Sequence, residues 1–288
     1  MTRPRAIEGT GPSPPGNSKE WNAIWADLPP DTEMLFTRGI PKTLLQFWQR
    51  AYFEDLWALL GAEAARARCL ELGSGRGTTS MYLASKGCAV TLVDLSPEAL
   101  GRARANFQAQ RLPEPKLISR DARDTTLPSE SFDCVYNIGL LEHFEDPLPV
   151  LRESFRLLSD GGVLFSVVVP VIAERQRWLV RALCAPWQLL TLPLRRFARL
   201  ILRRSNPSTT AMVRTDYSRE QWKGWAQEAG FREAQCVPYN PYHGLWRGYL
   251  SVGPFVPLYR LNLSRRKRPP KLATWPSVAM CDLLLARK

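Results

Sequence analysis

The run Cys69-Leu70-Glu71-Leu72-Gly73-Ser74-Gly75-Arg76-Gly77, with Asp94 closing Val90-Thr91-Leu92-Val93-Asp94, limits what this chain can fold into more than any other feature. It reads as a strand, a glycine-rich turn that opens a helix, and a second strand tipped by an acid. Glycine accepts positive φ and carries no Cβ, so such a turn lets backbone press close to a ligand. An acid about 20 residues beyond the first glycine stands where ribose hydroxyls are held. These residues predict an adenosine-containing cofactor at the carboxyl ends of the first two strands.

Spacing separates the loops that share this look. A dinucleotide loop, G-x-G-x-x-G, has its third glycine five residues after the first. Here that position is Thr78, and the glycines fall at 73, 75 and 77. A triphosphate loop needs Gly-Lys-Ser/Thr, and no lysine follows Gly77 until Lys86. The remaining pattern, E-x-G-x-G-x-G after a hydrophobic strand, resembles motif I of the class I S-adenosylmethionine-dependent methyltransferases. Further segments carry the resemblance in order. Asp94-Leu95 matches the second acidic position. Ser119-Arg120-Asp121-Ala122 matches the Asp-Ala pair set against adenine. Pro128 to Asp133 resembles the usual approach to a fourth strand that ends at Asn137. Leu140-Leu141-Glu142-His143-Phe144 is a variant of a segment common in small-molecule members. A helix over Leu151–Leu158, a stop at Asp160-Gly161-Gly162 and a fifth strand from Val163 complete the match, which spans roughly residues 68–170.

Periodicity places strands at 68–73, 89–94, 115–120, 132–137 and 163–169, with helices at 77–86, 97–110 and 147–158. Such alternation predicts a parallel sheet with helices on both faces and a ligand crevice beyond the strand carboxyl ends. Ser218 is the expected N-cap of a later helix ended by Gly230, followed by strands at 231–237 and 277–285. The resemblance implies an α/β fold: a Rossmann-like, doubly wound, seven-stranded sheet with its last strand antiparallel, plus N-terminal helices and two insertions over the active site. It implies S-adenosyl-L-methionine as cofactor, S-adenosyl-L-homocysteine as product, and no metal. Within the loop Glu71, Gly73, Ser74, Gly75 and Gly77, Glu71 would organise the turn and the methionine amine. Asp94 and Leu95 would meet the ribose, Asp121 and Ala122 the adenine edge, and the backbone near Asn137 the methionine portion. For each acid, a helix cap or a surface charge is the alternative.

Composition sets the organisation. Residues 1–20 are rich in proline, glycine and polar residues and predict a disordered tail; residues 21–61 read as leading helices, and 62–170 as the cofactor-binding core. An insertion follows at 171–216, and the core resumes at 217–288 around a second insertion at about 239–275. The 288 residues carry a net charge of +12. Residues 175–204 hold eight arginines and 260–271 hold six Arg/Lys, neither with an acid; the other 25 of the 39 basic residues nearly balance the 27 acids. The six cysteines show no C-x-x-C pairing and only two histidines exist, so neither zinc spacing nor a disulfide framework is legible. A reducing, cytoplasmic setting is expected, peripheral to the inner membrane face if the basic segment touches lipid.

The uncharged run Ala182–Leu194 contains two prolines and falls short of the roughly 20 apolar residues of a spanning helix. Residues 178–204 therefore read as an amphipathic lid, as an interfacial contact with anionic membrane, or as a protein-binding surface. Aromatics Tyr239, Tyr242, Trp246 and Tyr249 suit a hydrophobic or aromatic small-molecule acceptor. Interleaved with Arg265-Arg266-Lys267-Arg268 they could also track single-stranded nucleic acid; the near-neutral remainder makes this the weaker reading. Asn137-Ile138-Gly139-Leu140 replaces the Asn/Asp-Pro-Pro-aromatic exit of enzymes acting on amide or nucleobase amines, so an RNA or protein acceptor loses support. Methyl transfer to oxygen, carbon or nitrogen needs a base only when the acceptor must lose a proton. His143 and His243 are the candidates, each with a structural role as the alternative. A non-catalytic cofactor-binding scaffold is the rival to an enzyme.

Overall fold

The computed structural model describes residues 18–26, 34–169, 215–239 and 281–288. The expected tail up to residue 17, most of both insertions, the basic segment 178–204 and His243 lie outside the described residues. Helix α1 (Ser18–Ala26) begins inside the stretch expected as tail, and α2 (Leu44–Leu60) starts on Thr43, whose side chain accepts from the Gln46 amide. The core then runs β1 (Arg68–Leu72), α3 (Thr78–Ala84), β2 (Ala89–Asp94), α4 (Pro97–Ala109), β3 (Lys116–Ser119), β4 (Phe132–Ile138), α5 (Leu148–Leu157) and β5 (Leu158–Val168). It closes with α6 (Arg219–Glu228), β6 (Glu233–Tyr239) and β7 (Cys281–Arg287).

The seven strands lie in the order β3-β2-β1-β4-β5-β7-β6. Among the observed pairings only β7 is antiparallel, to β5 on one side and β6 on the other. The sheet is the doubly wound one expected, and its order reverses between β1 and β4. In such sheets ligands sit at that switch point, beyond the strand carboxyl ends.

Alternation along each strand divides the core into two layers. Cys69, Leu92, Tyr136 and Phe165 face one layer with Phe53, Leu56, Met81 and Phe107 from α2, α3 and α4. Leu70, Leu72, Val135 and Leu164 face the other, with Val150 and Leu151 of α5 and Trp222 of α6. Burial on both faces explains why these strands read as almost unbroken apolar runs. Ser218 caps α6 through a capping box with Gln221, as its sequence position predicts.

Three boundaries differ from the sequence reading. The Gly161-Gly162 pair does not separate helix from strand: β5 already begins at Leu158, which pairs with Phe132 before the register shifts. Ser159 Oγ donates to the Phe132 carbonyl at 3.0 Å and holds the strand ahead of the glycines, which form an irregularity within it. Strand β6 starts at Glu233 because Phe231 is buried, edge-on against Phe155 at 5.2 Å, and closes the preceding turn. Strand β7 extends to Arg287, in register with Glu233 and Val163.

Helix α2 is tied to the far edge of the sheet by a buried hydrogen bond, in which Tyr239 OH donates to Asp55 Oδ2 at 2.5 Å. Both residues are almost fully buried. Removing a donor from a buried carboxylate costs about 1–3 kcal/mol. Tyr239→Phe is expected to lower stability by that amount, read as a lower urea midpoint with an unchanged m-value.

Candidate active site

The glycine turn sits at the tip of β1, and two backbone contacts fix it to β2. Ser74 N–H donates to the Val93 carbonyl at 3.1 Å, and Gly75 N–H donates to Asp94 Oδ2 at 2.8 Å. The other Asp94 oxygen accepts from Ser96 N–H at 2.9 Å. Gly75 has φ 51, and a Cβ there would fall 2.6 Å from Trp25 Cζ2, so helix and loop touch only because the side chain is missing. Gly77, φ 67, precedes the first residue of α3, and a Cβ there would meet Leu92 Cδ2 at 2.5 Å. Here the missing Cβ serves helix–strand packing.

Above this turn lies a cavity of about 250 Å³. Glu71, Gly73, Ser74, Gly75, Asp94 and Leu95 line it from the first two strand ends, and Ala122 from the loop after β3. Ile138, Gly139, Leu140, His143 and Phe144 line it beyond β4. Helix α1 contributes Trp21 and Trp25. It is moored by Asn22, whose Oδ1 accepts from Ser96 Oγ at 2.6 Å and from the Glu98 amide at 3.2 Å. The Arg76 guanidinium lies over the Trp25 ring at 5.8 Å, and His143 meets Trp21 edge-on at 5.2 Å.

Of the expected cofactor residues, Glu71, Gly73, Ser74, Gly75, Asp94, Leu95 and Ala122 come together on this cavity, joined by His143. Three others do not line it. Gly77 is turned into the core. Asn137 is fully buried, its Oδ1 accepting from Ser166 Oγ of β5 at 2.6 Å; the segment just after it, Ile138 to Leu140, meets the cavity instead. Asp121 is held by Arg123, which donates to its two oxygens at 3.0 and 2.6 Å and again through its backbone amide. Burial works to raise the Asp121 carboxyl, but the adjacent guanidinium outweighs it and holds the group below its ordinary range. Trp21, Trp25, Leu35, Gln49 and Arg120 line the cavity without having been singled out. For the two tryptophans their i, i+4 spacing was a signal, but it serves core packing equally well.

Glu71 is the site's most perturbed acid. Its Oε2 accepts from Ser80 Oγ of α3 at 2.6 Å and from Tyr136 OH of β4 at 3.2 Å, and the two hydroxyls lie 2.5 Å apart. Burial pushes the carboxyl up to about 7, against those hydrogen bonds, and the nearby Asp94 adds to the rise. Burial likewise raises Asp94, opposed by the amides of Ser96 and Gly75.

A glycine turn that excludes side chains, an acid gripping it, and a cavity opening on both suit an adenosine and amino-acid moiety. The lining fits S-adenosylmethionine in its chemistry, joining acids beside a glycine turn to apolar side chains beyond β4. Among the described residues no cluster of three or more His, Cys, Asp or Glu side chains is arranged for a metal.

Comparison with known proteins agrees with this geometry. Residues 70–166 match the family described as "Methyltransferase domain". The chain is 27% identical over 192 residues to the chloroplastic 2-methyl-6-phytyl-1,4-hydroquinone methyltransferase of Arabidopsis thaliana, covering 65% of this chain and 47% of that one. It is 34% identical over 103 residues to the ubiquinone biosynthesis O-methyltransferase of Xanthomonas oryzae pv. oryzae (strain PXO99A), covering 36% and 43%. Among solved structures, an S-adenosylmethionine-dependent methyltransferase from Mesorhizobium loti shares the fold at a TM-score of 0.52, with 19% identity, 82% of this chain and 98% of that one. The chain spans about half the length of the curated relatives it matches. Residues 70–166, which carry the glycine turn and most of the cavity's lining, thus match a methyltransferase domain.

Because the Glu71 carboxyl is raised on folding, the native state holds its proton more tightly than the unfolded chain. Ligand-free stability therefore declines as pH climbs from the ordinary carboxylate range through about 7. The loss is on the order of 3 kcal/mol. Glu71→Gln is expected to melt above the parent protein at pH 8 and to lose that advantage near pH 4, measured by scanning calorimetry without ligand.

Proposed function

We propose that this chain transfers a methyl group from S-adenosylmethionine to a hydrophobic or aromatic small molecule. The observation that carries the reading is one cavity whose lining combines two chemistries. Asp94, Glu71 and the glycine turn line it together with the apolar side chains of Trp21, Leu35, Ile138, Leu140 and Phe144, and with His143. When bound, S-adenosylmethionine supplies a methyl group already activated on a sulfonium, so the protein's task is mainly to position and desolvate. Asp94 would hold the ribose hydroxyls, Glu71 the methionine ammonium, and the Gly73–Gly75 backbone would lie against the same moiety. Ala122 offers a small apolar surface to adenine, while Asp121 would act through its Arg123 clamp as a wall behind it.

The acceptor class follows from the apolar lining and from the relatives. Two of them are named for a phytyl hydroquinone and for ubiquinone biosynthesis. A phenol or quinol bearing an apolar chain is the acceptor we favour. Such a hydroxyl must give up its proton, and His143, which is buried beside Trp21 and lines the cavity, would take it. Lipid-like acceptors reside in membranes, and the basic, apolar composition of residues 178–204 suits an anionic bilayer surface at the cytoplasmic face. No helix among the described residues is long and apolar enough to cross one.

Titration calorimetry with S-adenosylmethionine is expected to show binding that weakens at least tenfold in Asp94→Ala. Equal affinity in both proteins would remove the cofactor assignment. With labelled donor and an isoprenoid hydroquinone, His143→Asn is expected to lower kcat by about 10²–10⁴ while donor affinity holds. Donor binding without turnover on any phenol or quinol would favour the non-catalytic scaffold instead.

A further inference from the structure

Glu71 enters the cavity from the end of β1 with no lysine or arginine paired to it among the described residues. Its hydrogen bonds come from the hydroxyl and backbone of Ser80 in α3 and from the hydroxyl of Tyr136 in β4, both hydroxyls on Oε2; none of these donors carries a charge, and Glu71 lines the cavity. Glu71 and Tyr136 are Cα partners in the β1–β4 ladder, so their side chains leave the sheet on the same face. Tyr136 is fully buried and Ser80 nearly so, and neither hydroxyl can neutralise a carboxylate. An ionised Glu71 in the empty protein is therefore desolvated and without a countercharge, which disfavours it. A cation arriving in the cavity reverses that balance.

We propose that binding of S-adenosylmethionine is coupled to loss of one proton from Glu71, and that Tyr136 and Ser80 are positioning residues that set the pH at which this occurs. The inference rests on the donor assignment above. The carboxylic acid gives its proton to solvent, and the resulting carboxylate meets the ligand's ammonium. The other charged and titratable groups around the site do not substitute for that cation. Asp94 of β2 is itself an acid and adds to the difficulty of ionising Glu71. Arg76 is drawn over Trp25, Arg120 is exposed at the mouth beyond β3, and His143 is set against Trp21. The rise of the free carboxyl to about 7 agrees with this arrangement.

The test is calorimetric and needs no acceptor. S-adenosylmethionine is titrated into wild type and Glu71→Gln between pH 5.5 and 9, in phosphate and in Tris, whose ionisation heats differ. The ligand's own ammonium also titrates, and Glu71→Gln, which keeps the ammonium partner but lacks the acid, supplies that background. The expected result is proton release in wild type beyond that of Glu71→Gln, with affinity rising about tenfold per pH unit below the midpoint. Tyr136→Phe and Ser80→Ala each remove a donor to the carboxylate, so each is expected to move the midpoint to higher pH. If Glu71→Gln binds too weakly to titrate, or Tyr136→Phe does not fold, the Ser80→Ala midpoint decides. An unmoved midpoint, or equal proton release in wild type and Glu71→Gln, would overturn the inference and leave the donor assignment standing. No binding at any pH would overturn both.

Discussion

The hydrogen bond from Gly75 N–H to Asp94 Oδ2, 2.8 Å long, is the contact on which the site depends. It joins the turn after β1 to the tip of β2. With the neighbouring bond from Ser74 to Val93, it makes the glycine loop a continuation of the parallel ladder rather than a free connection. A buried carboxylate gripped by backbone amides stays in one place. Its position and the loop's shape together fix the polar wall of the cavity. The second amide on Asp94, from Ser96, couples the same acid to the start of α4, where Asn22 of α1 is also attached. Loop, strand tip, helix start and covering helix thus share one short chain of contacts.

The protein keeps its acids where folding would not choose them. Glu71 and Asp94 are both buried and both raised by that burial, and each lacks the full solvation that a surface carboxylate enjoys. Asp121, by contrast, is stabilised by its own guanidinium. The difference separates two acids that burial disfavours from one held by a neighbouring charge. The cavity also has two kinds of lining, acids at the strand tips and apolar side chains from α1 and the turn after β4. A donor with a charged amino-acid moiety and a greasy acceptor would meet between them.

Much of this was legible in the sequence because the determinants are local. Glycine spacing, strand alternation, the Ser218 cap and the acid at position 94 act over a few residues each, and all appear where the pattern puts them. The parts that were not legible depend on partners distant in the chain. Nothing near Asn137 announces that Ser166 will take its side chain. The Arg123 clamp on Asp121 was adjacent in sequence, but a two-residue spacing does not reveal whether a guanidinium turns back or out to water. Trp21 and Trp25 needed the docking of α1 before their face was defined. The Gly161-Gly162 pair misled because glycine marks both a stop and a strand irregularity, and Ser159 decides between them.

The close approach of Trp25 to Gly75 has a consequence for how such a chain can vary. Helix and loop divide one fixed volume between them, and because Gly75 holds a positive φ that strains any side chain, the bulk falls to position 25. A larger residue in the loop would carry that strain and also displace the helix from its mooring at Asn22. The two positions are therefore linked as a pair across fifty residues of chain, although neither touches the other through anything but van der Waals contact.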